Sequence, residues 1–168
     1  GVLVWFAWYV STPLLVPVGG DEPSASPVAD SLVMEPVEAV SADGTAIEGY
    51  LVRPGRPEAL SPRQSRVRDT LKLRGRMPHL EAKPELVVIA TSWDQGVKGS
   101  LPLAEGLTGA GYTCLVWNPR GKNDARKFCT YGLKEYADVT ALLDAGARKQ
   151  GGLPPVAAVG QGFGAAVL

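Results

Sequence analysis

Hydrophobic positions fall into short, separated blocks through the second half of the chain and into one long block at its start. Leu86–Ala90 is a continuous apolar run between Pro84 and Thr91, and predicts a strand buried on both faces. Tyr112–Trp117 predicts a second buried strand, and Pro155–Val159 predicts a third strand of the sheet. Leu101–Ala110, between the first two, predicts a helix closed by Gly111. Leu133, Tyr136, Ala137, Thr140, Leu143 and Ala147 recur at three- and four-residue spacing, which predicts an amphipathic helix ended by Gly151-Gly152. A further helix starts over Gly164–Leu168. Strands and helices that alternate in this way predict an α/β fold built on an open parallel sheet.

Ahead of that region, Val37–Val52 contains two partly alternating runs about Asp43-Gly44, a hairpin signal. Residues 53–84 are basic and interrupted by proline, with Arg63, Arg66, Arg68, Lys72, Arg74 and Arg76. They read as a surface insertion, and their charge suits an acidic partner or lipid headgroups. Residues 19–35 read as a Pro/Ser linker. Gly1–Gly20 carries no ionised side chain. Twenty helical residues reach ~30 Å, the thickness of a hydrocarbon core. Trp5, Trp8 and Tyr9 suit a membrane interface, while Pro13 and Pro17 bend or end such a helix. A membrane segment over residues 1–18 is the expectation, with a signal-peptide remnant and a buried core segment as the alternatives. The nearest basic residue downstream of the leader is Arg53, too distant to orient it.

Composition narrows the class. Seventeen basic residues balance seventeen acidic ones among 168, which argues against a nucleic-acid partner. Cys114 and Cys129 make no disulfide framework, and Cys114 lies inside an apolar run, as a buried thiol does. One histidine, His79, is too little for a Cys–His metal site, so no metal is expected. No cofactor is expected either.

Candidate chemistry collects at Gly160-Gln161-Gly162-Phe163-Gly164, between the third strand and the last helix. Two patterns fit. Gly160-x-Gly162-x-x-Ala165 matches a dinucleotide fingerprint, whose confirming acidic residue would lie past Leu168. Gly160 and Gly164 also occupy the flanking places of the G-x-S-x-G nucleophile elbow, with Gly162 in the serine position. Here residues 36–168 resemble the amino-terminal half of the α/β-hydrolase superfamily of esterases, lipases and serine peptidases. The Asp43-Gly44 hairpin is similar to the leading strands of that fold. Thr91–Gly96 stands at its His-Gly oxyanion loop, Asn118–Asp124 resembles its D-x-R-G-x-G-x-S turn, and Tyr131–Asp138 its helix before the elbow.

The resemblance implies a serine nucleophile followed by an acid and a histidine. Gly162 cannot attack a carbonyl, Thr91-Ser92 replaces His-Gly, and His79 matches no catalytic position. Ser92 or Ser100 is conceivable as a substitute nucleophile. Backbone N–H groups of Ser92, Trp93 and Phe163 remain as oxyanion-type donors, which bind without turnover. The expectation is a catalytically inactive, membrane-associated accessory or scaffold subunit that contacts membrane lipid and other subunits. The alternatives are a fragment of a serine hydrolase and a fragment of a dinucleotide-binding oxidoreductase.

Overall fold

The structure, a computed structural model, describes residues 31–55, 60–76, 85–91, 95–121 and 129–168. The chain reverses at Asp43-Gly44 because Gly44 adopts φ +79°, which glycine tolerates without a Cβ clash. Asp43 Oδ1 accepts the Thr45 N–H at 3.1 Å and closes the turn. On either side β1 (Leu32–Val40) and β2 (Ala46–Pro54) pair antiparallel, Val40 opposite Ala46 and Leu32 opposite Pro54. Residues 32–35, expected in the linker, therefore belong to β1. Leu32 is buried and Met34 packs against the same apolar cluster, so the strand extends to where those contacts end. Residues 19–30 of the linker and the leader 1–18 lie outside the described residues.

Part of the basic stretch 53–84 is regular structure. β2 runs to Pro54, and α1 (Pro62–Leu73) follows. Ser61 and Gln64 form a reciprocal capping box: Ser61 Oγ accepts the Gln64 N–H at 3.1 Å, and the Ser61 N–H donates to Gln64 Oε1 at 2.8 Å. Pro62 occupies the first turn, where its missing N–H costs no helical bond.

The parallel part of the sheet follows in regular order. β3 (Leu86–Ala90) leads to α2 (Gly96–Gly109), β4 (Thr113–Trp117), α3 (Glu135–Gln150), β5 (Val156–Gly160) and α4 (Phe163–Val167). α2 starts at Gly96, earlier than the apolar periodicity suggests. Asn118 Oδ1 accepts the Val97 N–H at 3.1 Å and caps that extra turn from the end of β4. Gln64 of α1 is fully buried and donates through Nε2 to Thr108 Oγ1 of α2 at 3.0 Å. A Cβ on Gly109 would lie 2.8 Å from Gln64 Cα, so the two helices touch along their backbones.

The sheet order is β1-β2-β4-β3-β5, with β4, β3 and β5 parallel and the β1–β2 hairpin joined antiparallel through β2 to β4. Strand periodicity divides the core into two layers. Leu86, Val88, Leu115 and Trp117 face Val139, Leu142 and Ala145 of α3 and Val167 of α4. Val87, Ile89, Cys114 and Val116 face Val97, Leu101 and Ala104 of α2. All residues of β3 and β4 are buried because helices cover both faces. β5 differs: every one of its residues is exposed, and β3 is its single strand neighbour among the described residues. No helix among the described residues is long and apolar enough to cross a membrane.

Candidate functional site

β3 and β5 are adjacent and parallel, yet the helices that follow them pack on opposite faces, α2 on one and α4 on the other. Connections that diverge in this way open a crevice beyond the carboxyl ends of the strands, where open α/β sheets hold their ligands. The Gly160–Gly164 turn sits at that place.

The turn is made by three glycines with different tasks. A Cβ on Gly160 would stand 2.5 Å from Ala165 Cα, and one on Gly164 would stand 2.0 Å from the Ala90 carbonyl oxygen. No side chain fits either gap, so both flanking glycines let the turn close onto α4 and the end of β3. The Gln161 N–H donates to the Ala90 carbonyl at 2.9 Å and fixes this approach. Gly162 is the N-cap of α4 and takes φ +58°, ψ −125°. That conformation is strained for a residue with a side chain, at a cost of ~1–3 kcal/mol. The Gly164 and Ala165 N–H groups donate to Gln161 and Gly162 carbonyls, both at 3.0 Å.

Behind the turn lies a cavity of about 10 Å³ lined by Thr91, Trp117, Pro119, Glu135, Phe163, Gly164 and Val167. Its size is about that of one water molecule. Glu135 faces it as a buried carboxylate. The carboxylate accepts the Thr130 N–H at 2.6 Å, the Thr130 hydroxyl at 2.7 Å and the Gly132 N–H at 2.9 Å. Burial pushes the Glu135 pKa up, but these bonds outweigh it and hold the carboxyl below the usual range. They also hold Tyr131 at φ +52°, an uncommon conformation for a bulky residue. The Tyr131 ring meets Phe163 edge to face, centroids 5.5 Å apart, and a Cβ on Gly132 would lie 2.7 Å from the Ala166 carbonyl oxygen. Glu135 thereby braces the loop that presses on α4.

A second buried charge stands beside it. The Arg120 guanidinium donates to both oxygens of Asp138, to Asp43 Oδ2 at 2.8 Å and to Ser41 Oγ at 3.4 Å. Glu135 lies 3.9 Å from its Nε. Burial lowers the Arg120 pKa, and its bonds to Asp138 and Asp43 more than reverse that. Bonds from Thr45 and Arg120 hold the Asp43 carboxyl well below the usual range. These residues come from the β1–β2 turn, the segment after β4 and the start of α3, and nothing in their spacing reveals that one guanidinium joins them.

The other candidates are placed as follows. Ser100 is buried, and its hydroxyl lies 3.3 Å from both the Gly96 carbonyl oxygen and Thr91 Oγ1, so it is unavailable as a nucleophile. Ser92, Trp93 and His79 lie outside the described residues. Phe163 is the first residue of α4 and follows Gly162, the place from which an oxyanion donor would point. Cys114 is buried, and its burial pushes the thiol up to about 12. Cys129 is buried and also shifted upward, mainly by burial. Both shifts disfavour the thiolate, the form that attacks. Among the described residues no three His, Cys, Asp or Glu side chains are grouped to hold a metal ion. The fingerprint reading of Gly160, Gly162 and Ala165 gains nothing from the sheet, where β5 is the third parallel strand and two strand–helix units precede it.

No family model and no curated protein matches the chain. Among solved structures it is similar to an esterase from Pyrococcus furiosus, with a TM-score of 0.58 at 16% sequence identity. The match covers 90% of this chain and 50% of the esterase, so the chain spans about half the length of that protein. The fold is α/β-hydrolase-like, a partly parallel five-stranded sheet with flanking helices.

Proposed function

We propose that this chain is a non-catalytic α/β-hydrolase-like protein that serves as an accessory or scaffold subunit at a membrane. One observation carries the reading. Gly162 stands at the turn between β5 and α4, bent to φ +58° with no side chain to attack, and the resemblance to the nucleophile elbow gives this position to the nucleophile. Glycine relieves the strain of that bend, so a protein freed from catalysis gains stability from it. The uncharged leader of residues 1–18 supports the membrane assignment.

A second reading is favoured by the half-length match to the esterase: this chain as one part of a serine hydrolase with a divergent elbow. A fluorophosphonate probe separates the two. The accessory subunit remains unlabelled both as the natural chain and as Gly162→Ser, and it purifies from membranes within a larger assembly. Heat-sensitive labelling of the natural chain would sink the non-catalytic reading. Labelling and esterase turnover gained by Gly162→Ser in the full-length protein would favour the hydrolase.

A further inference from the structure

The chain has no net charge, yet its charge is unevenly distributed. Residues 62–76 hold Arg63, Arg66, Arg68, Lys72, Arg74 and Arg76 against a single carboxylate, Asp69, which leaves the remainder of the chain net negative. The structure gathers these cations on one helix and the residues just past its end. α1 is fixed to the domain by its other side, where Gln64 is buried against Thr108 and the Ser61 hydroxyl donates to Glu105. Arg63 reaches Glu105 at 3.8 Å and remains half exposed. No carboxylate pairs with Arg66, Arg68, Lys72, Arg74 or Arg76 among the described residues. Arg66, Lys72, Arg74 and Arg76 are exposed to solvent.

Apolar side chains lie between these cations. Leu73 is 88% exposed. Val67 and Leu71 floor a groove of about 260 Å³ whose lining includes Arg63, Arg66 and Thr70. An acidic protein would need its carboxylates matched to particular guanidiniums. A fluid anionic surface needs only a patch of exposed cations with apolar groups among them, and that is what α1 presents.

We infer that the outer face of α1, from Arg63 to Arg76, docks on anionic phospholipid headgroups. This deepens the membrane association proposed above by placing a second, electrostatic contact on the folded domain, apart from the leader. The polarised charge also orients the molecule, because the negative remainder is repelled by the surface that attracts α1. The contact is screened by salt, as exposed charges are.

Vesicle co-sedimentation of the full chain tests this. Phosphatidylcholine vesicles read what the leader contributes. Vesicles with roughly one part in three phosphatidylserine add the contribution of α1. Binding to the second kind is expected to be about tenfold tighter or more, to fall with added salt, and to lose that advantage in Arg66→Gln/Lys72→Gln/Arg74→Gln. The control Arg148→Gln/Lys149→Gln removes exposed cations from α3 and is expected to retain it. Circular dichroism of each variant confirms that it is folded. Equal binding to both vesicle types overturns the inference while leaving the leader's role intact, and so does an equal loss in the control. Capture of a soluble polyglutamate peptide by α1, with anionic vesicles ignored, also overturns it in favour of an acidic protein partner. Absence of binding to neutral vesicles counts against the leader alone.

Discussion

Arg120 and Asp138 meet through two parallel hydrogen bonds, Nε to Oδ2 at 2.9 Å and Nη2 to Oδ1 at 2.5 Å, with both side chains almost wholly removed from water. The fork matches the carboxylate in geometry as well as charge. Asp43 reaches the same guanidinium from the β1–β2 turn and Glu135 from the start of α3, so one cation ties the hairpin to the parallel layer.

Removing that cation strands carboxylates that cannot find water. Arg120→Met is therefore expected to cost ~3–5 kcal/mol, read from urea denaturation. Replacing both partners, in Arg120→Met/Asp138→Leu, is expected to cost less than the two single changes added together. A loss below ~1 kcal/mol for Arg120→Met would show that the network is not structural.

Asp43 and Glu135 both keep their carboxyl groups below the ordinary range in the folded chain. As pH falls, the unfolded chain takes up protons first. Their stabilisation is thus complete above the unfolded values, ~3.9 for Asp and ~4.3 for Glu, and disappears as pH drops through the lower folded ones. The urea midpoint is expected to hold steady above pH ~5 and to decline below pH ~4. Glu135→Gln should flatten the decline, and an unaltered pH slope in that variant would rule out its part.

The glycines separate by what surrounds them. Gly164→Ala places a Cβ 2.0 Å from the Ala90 carbonyl oxygen, against backbone that cannot yield cheaply, and is expected to cost at least ~3 kcal/mol. Gly106 lies inside α2 with nothing within 4 Å of an added Cβ. Gly106→Ala is expected to gain ~0.5–1 kcal/mol from helix propensity. Thermal unfolding of both variants checks the pair, and similar midpoints would show that the turn is looser than drawn.

Much of this arrangement was legible in the sequence because it is local. Leu86–Ala90 and Thr113–Trp117 are apolar without a break, as strands covered on both faces must be, and Gly160, Gly162 and Gly164 mark a turn pressed against backbone. α1 was harder to see. Its capping box stands in a basic, proline-marked stretch, and the contact that seats it, Gln64 to Thr108, is polar and spans 44 positions. The Arg120 network was hidden for the same reason, because Asp43 lies 77 positions away and no periodicity connects the two. The exposure of β5 depends on what borders the sheet, which no run of five residues records.

The distance that hid the network also sets when it forms. A guanidinium cannot meet Asp43 and Asp138 until the hairpin has joined β4 and α3 has settled across it. Contacts closed over such separations come late in folding, so they are weak or missing at the barrier and strong beyond it. Arg120 then acts mainly on the escape rate: losing ~3 kcal/mol there should speed unfolding by about a hundredfold and leave refolding nearly unchanged. Buried charge of this kind lengthens the lifetime of the native state without hastening its arrival.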